Sequence, residues 1–170
     1  MECNGMLPTT QFAYRRGLGT CDALLCMSHT LQSALESGQK AKIMQIDFSA
    51  AFDRVSHQGI LHGLSSVGIG GSVLSTLTQF LSNQSQHIMV DGCWSKLVYV
   101  VSWVPKGSVL GSLLYLLYTA ELFSILENKL IGYADDSTLM VIVPSSGGVT
   151  VAESLIHDLG RVSEWATFGE

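Results

Sequence analysis

Three aspartates mark where this sequence could do chemistry. Asp47 lies near the end of the apolar run Ala41–Phe48, and Asp135-Asp136 separates Leu130–Ala134 from Ser137–Val143. Neighbouring carboxylates between apolar strands raise one another's pKa unless a cation is shared between them. A divalent ion is the natural compensator, because Mg²⁺ prefers oxygen ligands completed by water and substrate phosphates. Three such carboxylates suit two-metal phosphoryl transfer, in which one ion activates the attacking hydroxyl and the other neutralises the leaving pyrophosphate. Taken alone, the Asp-Asp pair is more simply read as the filling of a hairpin turn, a role Asp commonly takes.

The elements that must position these residues follow from periodicity. From Thr20, read as an N-cap with Asp22 in the first turn, Leu24, Met27, Leu31, Ala34 and Leu35 keep helical spacing until Gly38. Ala41–Phe48 is too short for a helix and predicts a strand with Gln45 and Asp47 on one side. Ser56 caps a helix to about Gly68 and Ser72 a second to about Leu81, with Gly70 and Gly71 as the break. Asp91-Gly92 supplies the positive backbone angles of a type I' hairpin between Gln86–Val90 and Trp94–Val101. After a loop at Pro105–Ser108, a long, deeply packed helix runs from Leu110 to Leu126. Two short strands then flank Asp135-Asp136, and Val151 to Ala166 forms a final amphipathic helix. The order predicts an α+β fold, with helices laid on one face of a mainly antiparallel sheet.

Composition narrows the classes. The 170 residues carry 47% hydrophobic and 14% charged side chains, which excludes a disordered chain and fits one domain. A formal charge of −5 argues against a free-standing, charge-driven nucleic-acid binder. Cys3, Cys21, Cys26 and Cys93 have neither zinc-ribbon spacing nor the density of a disulfide scaffold, and read as thiols in a reducing compartment. Residues 1–10 lack the pattern of a signal peptide, and Val109–Leu126 is interrupted by Gly111, Ser112, Thr119 and Glu121, as a core helix is. The expected location is intracellular, nuclear or cytoplasmic, with no membrane partner.

Read together, Ile46-Asp47-Phe48-Ser49-Ala50-Ala51-Phe52-Asp53-Arg54-Val55, Val104-Pro105-Lys106-Gly107-Ser108-Val109-Leu110-Gly111 and Tyr133-Ala134-Asp135-Asp136 closely resemble motifs A, B and C of reverse transcriptases. The match is closest to the non-LTR (LINE-type) retrotransposon enzymes. Gln11-Phe12-Ala13-Tyr14-Arg15-Arg16-Gly17 followed by Thr20-Cys21-Asp22-Ala23-Leu24 is similar to the fingers-to-palm segment of that family. The resemblance implies a polymerase palm, ferredoxin-like in its sheet, over residues 20–170, and a remnant of the fingers over residues 1–19. It also implies an RNA template, a DNA primer and dNTP as partners. Most of the fingers, the motif D lysine segment and the thumb are expected to be missing.

By the same resemblance, Asp47, Asp135 and Asp136 are the catalytic carboxylates and hold two Mg²⁺ ions, with Mn²⁺ as an alternative, joined by the backbone carbonyl of Phe48. Phe52 is similar to the steric gate that stands where a ribose 2'-hydroxyl would sit; a plain core Phe is the competing reading. Arg15 aligns with a fingers arginine that grips the triphosphate, against the reading of a solvated loop cation. Lys106 and Gly107 belong to the motif B turn beside the nucleotide. The sequence departs from the family at Trp103, Lys106 and Ser112, where Gly, Gln and Pro are usual, and at Leu18 and Gly19, where Arg and Ser are common. These departures keep open a second class, a non-catalytic remnant acting as a packing module. A palm-type nucleotidyl cyclase is more distant, because the motif B turn argues against it.

Overall fold

The structure is a computed structural model and describes residues 5–100, 102–104, 107–146 and 150–168. The elements follow in the order α1 (Thr20–Glu36), β1 (Lys40–Ile46), α2 (His57–Ser66), α3 (Gly71–Leu81), β2 (Ser85–Gln86), β3 (Met89–Val90), β4 (Cys93–Trp94), β5 (Val98–Tyr99), α4 (Val109–Ile125), β6 (Lys129–Tyr133), β7 (Asp136–Val143) and α5 (Val151–Phe168). The α+β class is as expected, and each predicted helix and long strand is present within a few residues of its expected bounds.

Two helix starts differ from expectation. Gly19, not Thr20, is the N-cap of α1, and Asp22 accepts the Gly19 N–H at 2.7 Å. Gly70, not Ser72, caps α3. Glycine reaches the extended cap conformation without a side-chain bond, so a nearby Thr or Ser is a weaker signal than it looks. Elsewhere side chains do cap: Ser56 Oγ accepts Gly59 N–H at 3.3 Å, and Ser108 Oγ accepts Gly111 N–H at 2.9 Å. Thr150 and Glu153 close a reciprocal capping box at the start of α5.

The main sheet has three strands in the order β1-β7-β6, all antiparallel. Leu130, Leu139, Val141 and Val143 pack with Met44 and Ile46 against α4 and α5 in one core cluster. Ile131 and Met140 pack on the other face with Ala23, Cys26, Met27 and Leu31 of α1. Helices therefore cover both faces, which corrects the one-face expectation. The reason is visible in β7, whose buried Leu139, Met140 and Val141 are consecutive and so point to opposite sides. Each of these side chains contributes about 1.5–3 kcal/mol by leaving water.

A third cluster joins α2, α3 and the first half of α4 through Ile60, Leu64, Leu77, Leu114 and Leu117. Close approach of α2 to α4 depends on Gly59, where a Cβ would sit 2.6 Å from the Tyr118 ring. Helix α4 is buried on several sides, at Gly111, Leu114, Tyr115, Leu116, Leu117, Thr119 and Leu122, as a core helix. Among the described residues no helix is long and apolar enough to cross a membrane.

The expected hairpin forms with Asp91 and Gly92 both at positive φ, 49° and 78°, as a type I' turn requires. Its ladder is broken into β3-β4 and β2-β5, because Ser95 pairs with Ile88 through both its backbone and its hydroxyl. The ribbon stands away from the cores, with Ile88, Met89, Val90, Trp94, Val98 and Tyr99 exposed. Val101 lies outside the described residues.

Candidate active site

Strands β1 and β7 fix two of the three carboxylates. Their register pairs Gln45 with Thr138 and Ile46 with Ser137. Continued by one residue, it sets Asp47 across from Asp136. Because side chains alternate, both carboxylates share the face of Gln45 and Thr138 and open into the same cleft, which α1 borders through Thr20, Ala23, Leu24 and Met27. Both residues are exposed.

Asp135 occupies the β6-β7 turn. Tyr133 pairs with Asp136, leaving Ala134 and Asp135 as a two-residue hairpin loop. Ala134 has φ 59°, and Asp135 is not among the positive-φ residues, so only the first central position is left-handed, as in a type II' turn. Asp135 and Asp136 both act on Tyr115, whose phenol is pushed far above its ordinary range, first by burial and then by Asp135. Among the described residues, no hydrogen bond or ion pair engages the side chains of Asp47, Asp135 or Asp136. Nor does any trio of His, Cys, Asp or Glu among them already stand close enough to hold an ion. The donor chemistry is nonetheless that of a hard cation: uncommitted carboxylate oxygens with solvent access.

Past Asp47 the chain turns sharply. Phe48 O accepts the Ala51 N–H at 3.1 Å, and Asp53 and Arg54 both donate to Ala50 O. The Phe48 carbonyl keeps a second lone pair. Its ring meets Trp165 of α5 edge-on at 5.7 Å. Phe52 stacks on Tyr115 of α4 at 4.2 Å and 25°, which fixes the orientation of its half-buried ring.

The motif B approach lies beside this turn. Trp103 N–H donates to Val55 O at 2.9 Å and Val104 N–H to Phe52 O at 3.2 Å. His57 Nε2 meets Trp103 O at 2.9 Å, a tie that sequence reasoning did not anticipate. Trp103 has φ 117°, and its indole Nε1 is buried with no hydrogen-bond partner among the described residues. The usual Gly at this position is thus explained by backbone conformation, and Trp103 adopts it under strain. Gly107 has φ 81° with open space where a Cβ would be, so its requirement is conformational. Lys106 lies outside the described residues, as does Pro105.

Arg15 faces inward: Nη1 donates to Pro8 O at 2.9 Å and to Gln11 O at 3.1 Å. Sequence reasoning assigned no role to Gln11, which is 1% exposed and directed at the carboxylate hairpin. Its Oε1 accepts Ala134 N–H and its Nε2 donates to Ala134 O, both at 3.2 Å. The one sequence signal was an uncharged polar residue entering an otherwise apolar Phe12-Ala13 segment.

The profile described as Reverse transcriptase (RNA-dependent DNA polymerase) matches residues 2–166, and the chain belongs to that family. Its relatives are polymerases of non-LTR retrotransposons, as the motifs indicated. The chain is 29% identical over 173 residues to the RNA-directed DNA polymerase from mobile element jockey of Drosophila funebris, covering 97% of this chain and 19% of that protein. It is 28% identical over 171 residues to the probable RNA-directed DNA polymerase from transposon X-element of Drosophila melanogaster, covering 98% and 18%. With the retrovirus-related Pol polyprotein from type-1 retrotransposable element R2 of Popillia japonica it shares 24% identity over 151 residues, 79% of this chain and 25% of that one. The chain thus spans a quarter or less of the length of these relatives.

Proposed function

We propose that residues 20–170 are the palm of an RNA-directed DNA polymerase, with residues 1–19 part of the fingers, and that its site serves addition of dNTP to a primer 3'-hydroxyl on an RNA template. The supporting observation is the β1–β7 register, which brings Asp47 opposite Asp136 at one cleft with both carboxylates uncommitted. Asp47, Asp135 and Asp136 offer carboxylate oxygens, and Phe48 its second carbonyl lone pair, to two Mg²⁺ or Mn²⁺ ions. Such ions, when bound, make the primer hydroxyl a better nucleophile and neutralise the leaving pyrophosphate.

The remaining residues orient and exclude. Phe52, held by its stack on Tyr115, screens the sugar 2' position and so favours deoxynucleotides. Arg15 contacts the triphosphate after exchanging its grip on the Pro8 and Gln11 carbonyls, and Lys106 and Gly107 border the nucleotide. The packing-module reading has one observation in its favour, the strained Trp103 in motif B.

A thermal-melt titration separates the two. Mg²⁺ or Mn²⁺ raises the Tm of this chain, by about 2.7 kcal/mol of stability at a hundred times Kd, and Asp136→Asn abolishes the rise. A melt indifferent to both ions sinks the polymerase-site reading.

A further inference from the structure

We propose that Gln11 is a positioning residue for the catalytic hairpin: its side-chain amide clamps the backbone of Ala134 and thereby sets where Asp135 and Asp136 stand. The metal-related part of this proposal rests on the site reading above; the clamp itself does not.

The geometry begins with the hairpin. A two-residue turn cannot satisfy the outward backbone groups of its own central residues, and Ala134 is left-handed at φ 59° without being glycine. Gln11 supplies both missing partners at once. Oε1 accepts Ala134 N–H at 3.2 Å and Nε2 donates to Ala134 O at 3.2 Å, so the amide pairs with that residue as a neighbouring strand would. The amide orientation is determined chemically. Oε1 also accepts Ala13 N–H at 3.1 Å, and a flipped amide would face donors with donors and the Ala134 carbonyl with an oxygen.

The clamp is itself anchored. Phe12 N–H donates to Gly132 O and Gly132 N–H to Thr10 O, both at 2.9 Å, which fastens the backbone on either side of Gln11 to β6. Arg15 Nη1 holds the Gln11 carbonyl. Room for the side chain depends on Gly132, where a Cβ would lie 2.7 Å from Gln11 Nε2 and 2.7 Å from Phe123 Cζ. A buried amide that makes three bonds within a segment fixed at both ends can shift little. Asp135 follows Ala134 directly and Asp136 begins β7 beside Asp47, so the amide determines how the carboxylate pair is presented.

The test reads the clamp with and without metal in the whole chain. In the wild type, NMR detects a through-hydrogen-bond coupling between the Ala134 amide nitrogen and the Gln11 side-chain carbonyl carbon; its absence overturns the proposal without any variant. Gln11→Met keeps the length and removes both bonds, and speeds Ala134 amide exchange by about tenfold or more. Gln11→Glu keeps the acceptor for the Ala134 N–H but sets an oxygen against the Ala134 carbonyl, so Ala134 exchange falls between the Gln11→Met and wild-type rates. Equal exchange in Met and Glu variants means that the side chain only fills space, and overturns the proposal. Mn²⁺ titration of the same three proteins gives a several-fold weaker Kd for Gln11→Met; an unchanged Kd overturns the claim that the clamp sets the carboxylates. If even the wild type binds no Mn²⁺ that Asp136→Asn removes, it is the polymerase-site reading that fails, while the Ala134 data still decide the clamp.

Discussion

Two turns of this molecule place a bulky-backbone residue where glycine is the easy choice, and they resolve it differently. In the carboxylate hairpin, Ala134 sits at φ 59° with both backbone groups bound by Gln11. In the motif B approach, Trp103 sits at φ 117°, with a buried indole N–H that nothing among the described residues accepts. The first turn offsets its positive φ with a full set of hydrogen bonds from a buried amide. The second keeps its backbone ties to Val55 and His57 yet carries strain and an unsatisfied donor. The supports are therefore uneven over the chain: the turn that carries Asp135 has its Ala134 backbone bonded on both sides, and the approach to Gly107 places a Trp where the backbone favours glycine.

The comparison can be broken most severely at the base of the hairpin. Asp158 of α5 is fully buried and accepts from Glu127 N–H, Asn128 N–H and Asn128 Nδ2 at 3.0, 3.0 and 2.8 Å, at the point where the chain enters β6. Asp158→Ala strands those donors and lowers stability by about 3–5 kcal/mol, measured by urea unfolding; a loss under about 1 kcal/mol shows that water replaces the carboxylate easily. A smaller effect of opposite sign is expected at motif B. Trp103→Gly relieves backbone strain of about 1–3 kcal/mol and removes the orphaned indole, against some lost packing, so the urea midpoint rises. A fall means that the ring contributes more by contact than its backbone costs. The smallest effect is alkaline. Tyr115 is raised from 10.0 by burial first, so the unfolded chain releases this proton at lower pH than the folded one. Stability is intact below about pH 10 and falls as pH rises beyond it. Tyr115→Phe flattens that slope, and an unchanged slope assigns the alkaline loss to other groups.

Much of this was legible in the sequence. Periodicity located α1, α2, α3, α4, α5 and the strands around Asp47 and Asp135-Asp136, because each buries a face whose spacing is local information. The type I' turn at Asp91-Gly92 was legible because two residues suffice to specify it. What was hidden depended on partners distant in the chain. The two-sided sheet required knowing that Met140 meets α1 while Leu139 meets α5. Gln11 looked like an unremarkable polar residue until the fold brought it to Ala134. The family resemblance marked Trp103 as standing where Gly is usual, but the reason was hidden until the fold gave its φ of 117°, a conformation that favours glycine.

The separation of Gln11 from Ala134, 123 positions along the chain, has a kinetic corollary. Closing so long a loop carries an entropic cost that only other folded structure can offset, so such contacts form after local helices and hairpins. During synthesis the Asp-Asp turn emerges long after the Gln11 segment that holds it, and that segment waits without its β6 partner in the meantime. The site is completed by its oldest residues meeting some of its newest, which makes its assembly a late checkpoint on whether the rest of the chain has folded.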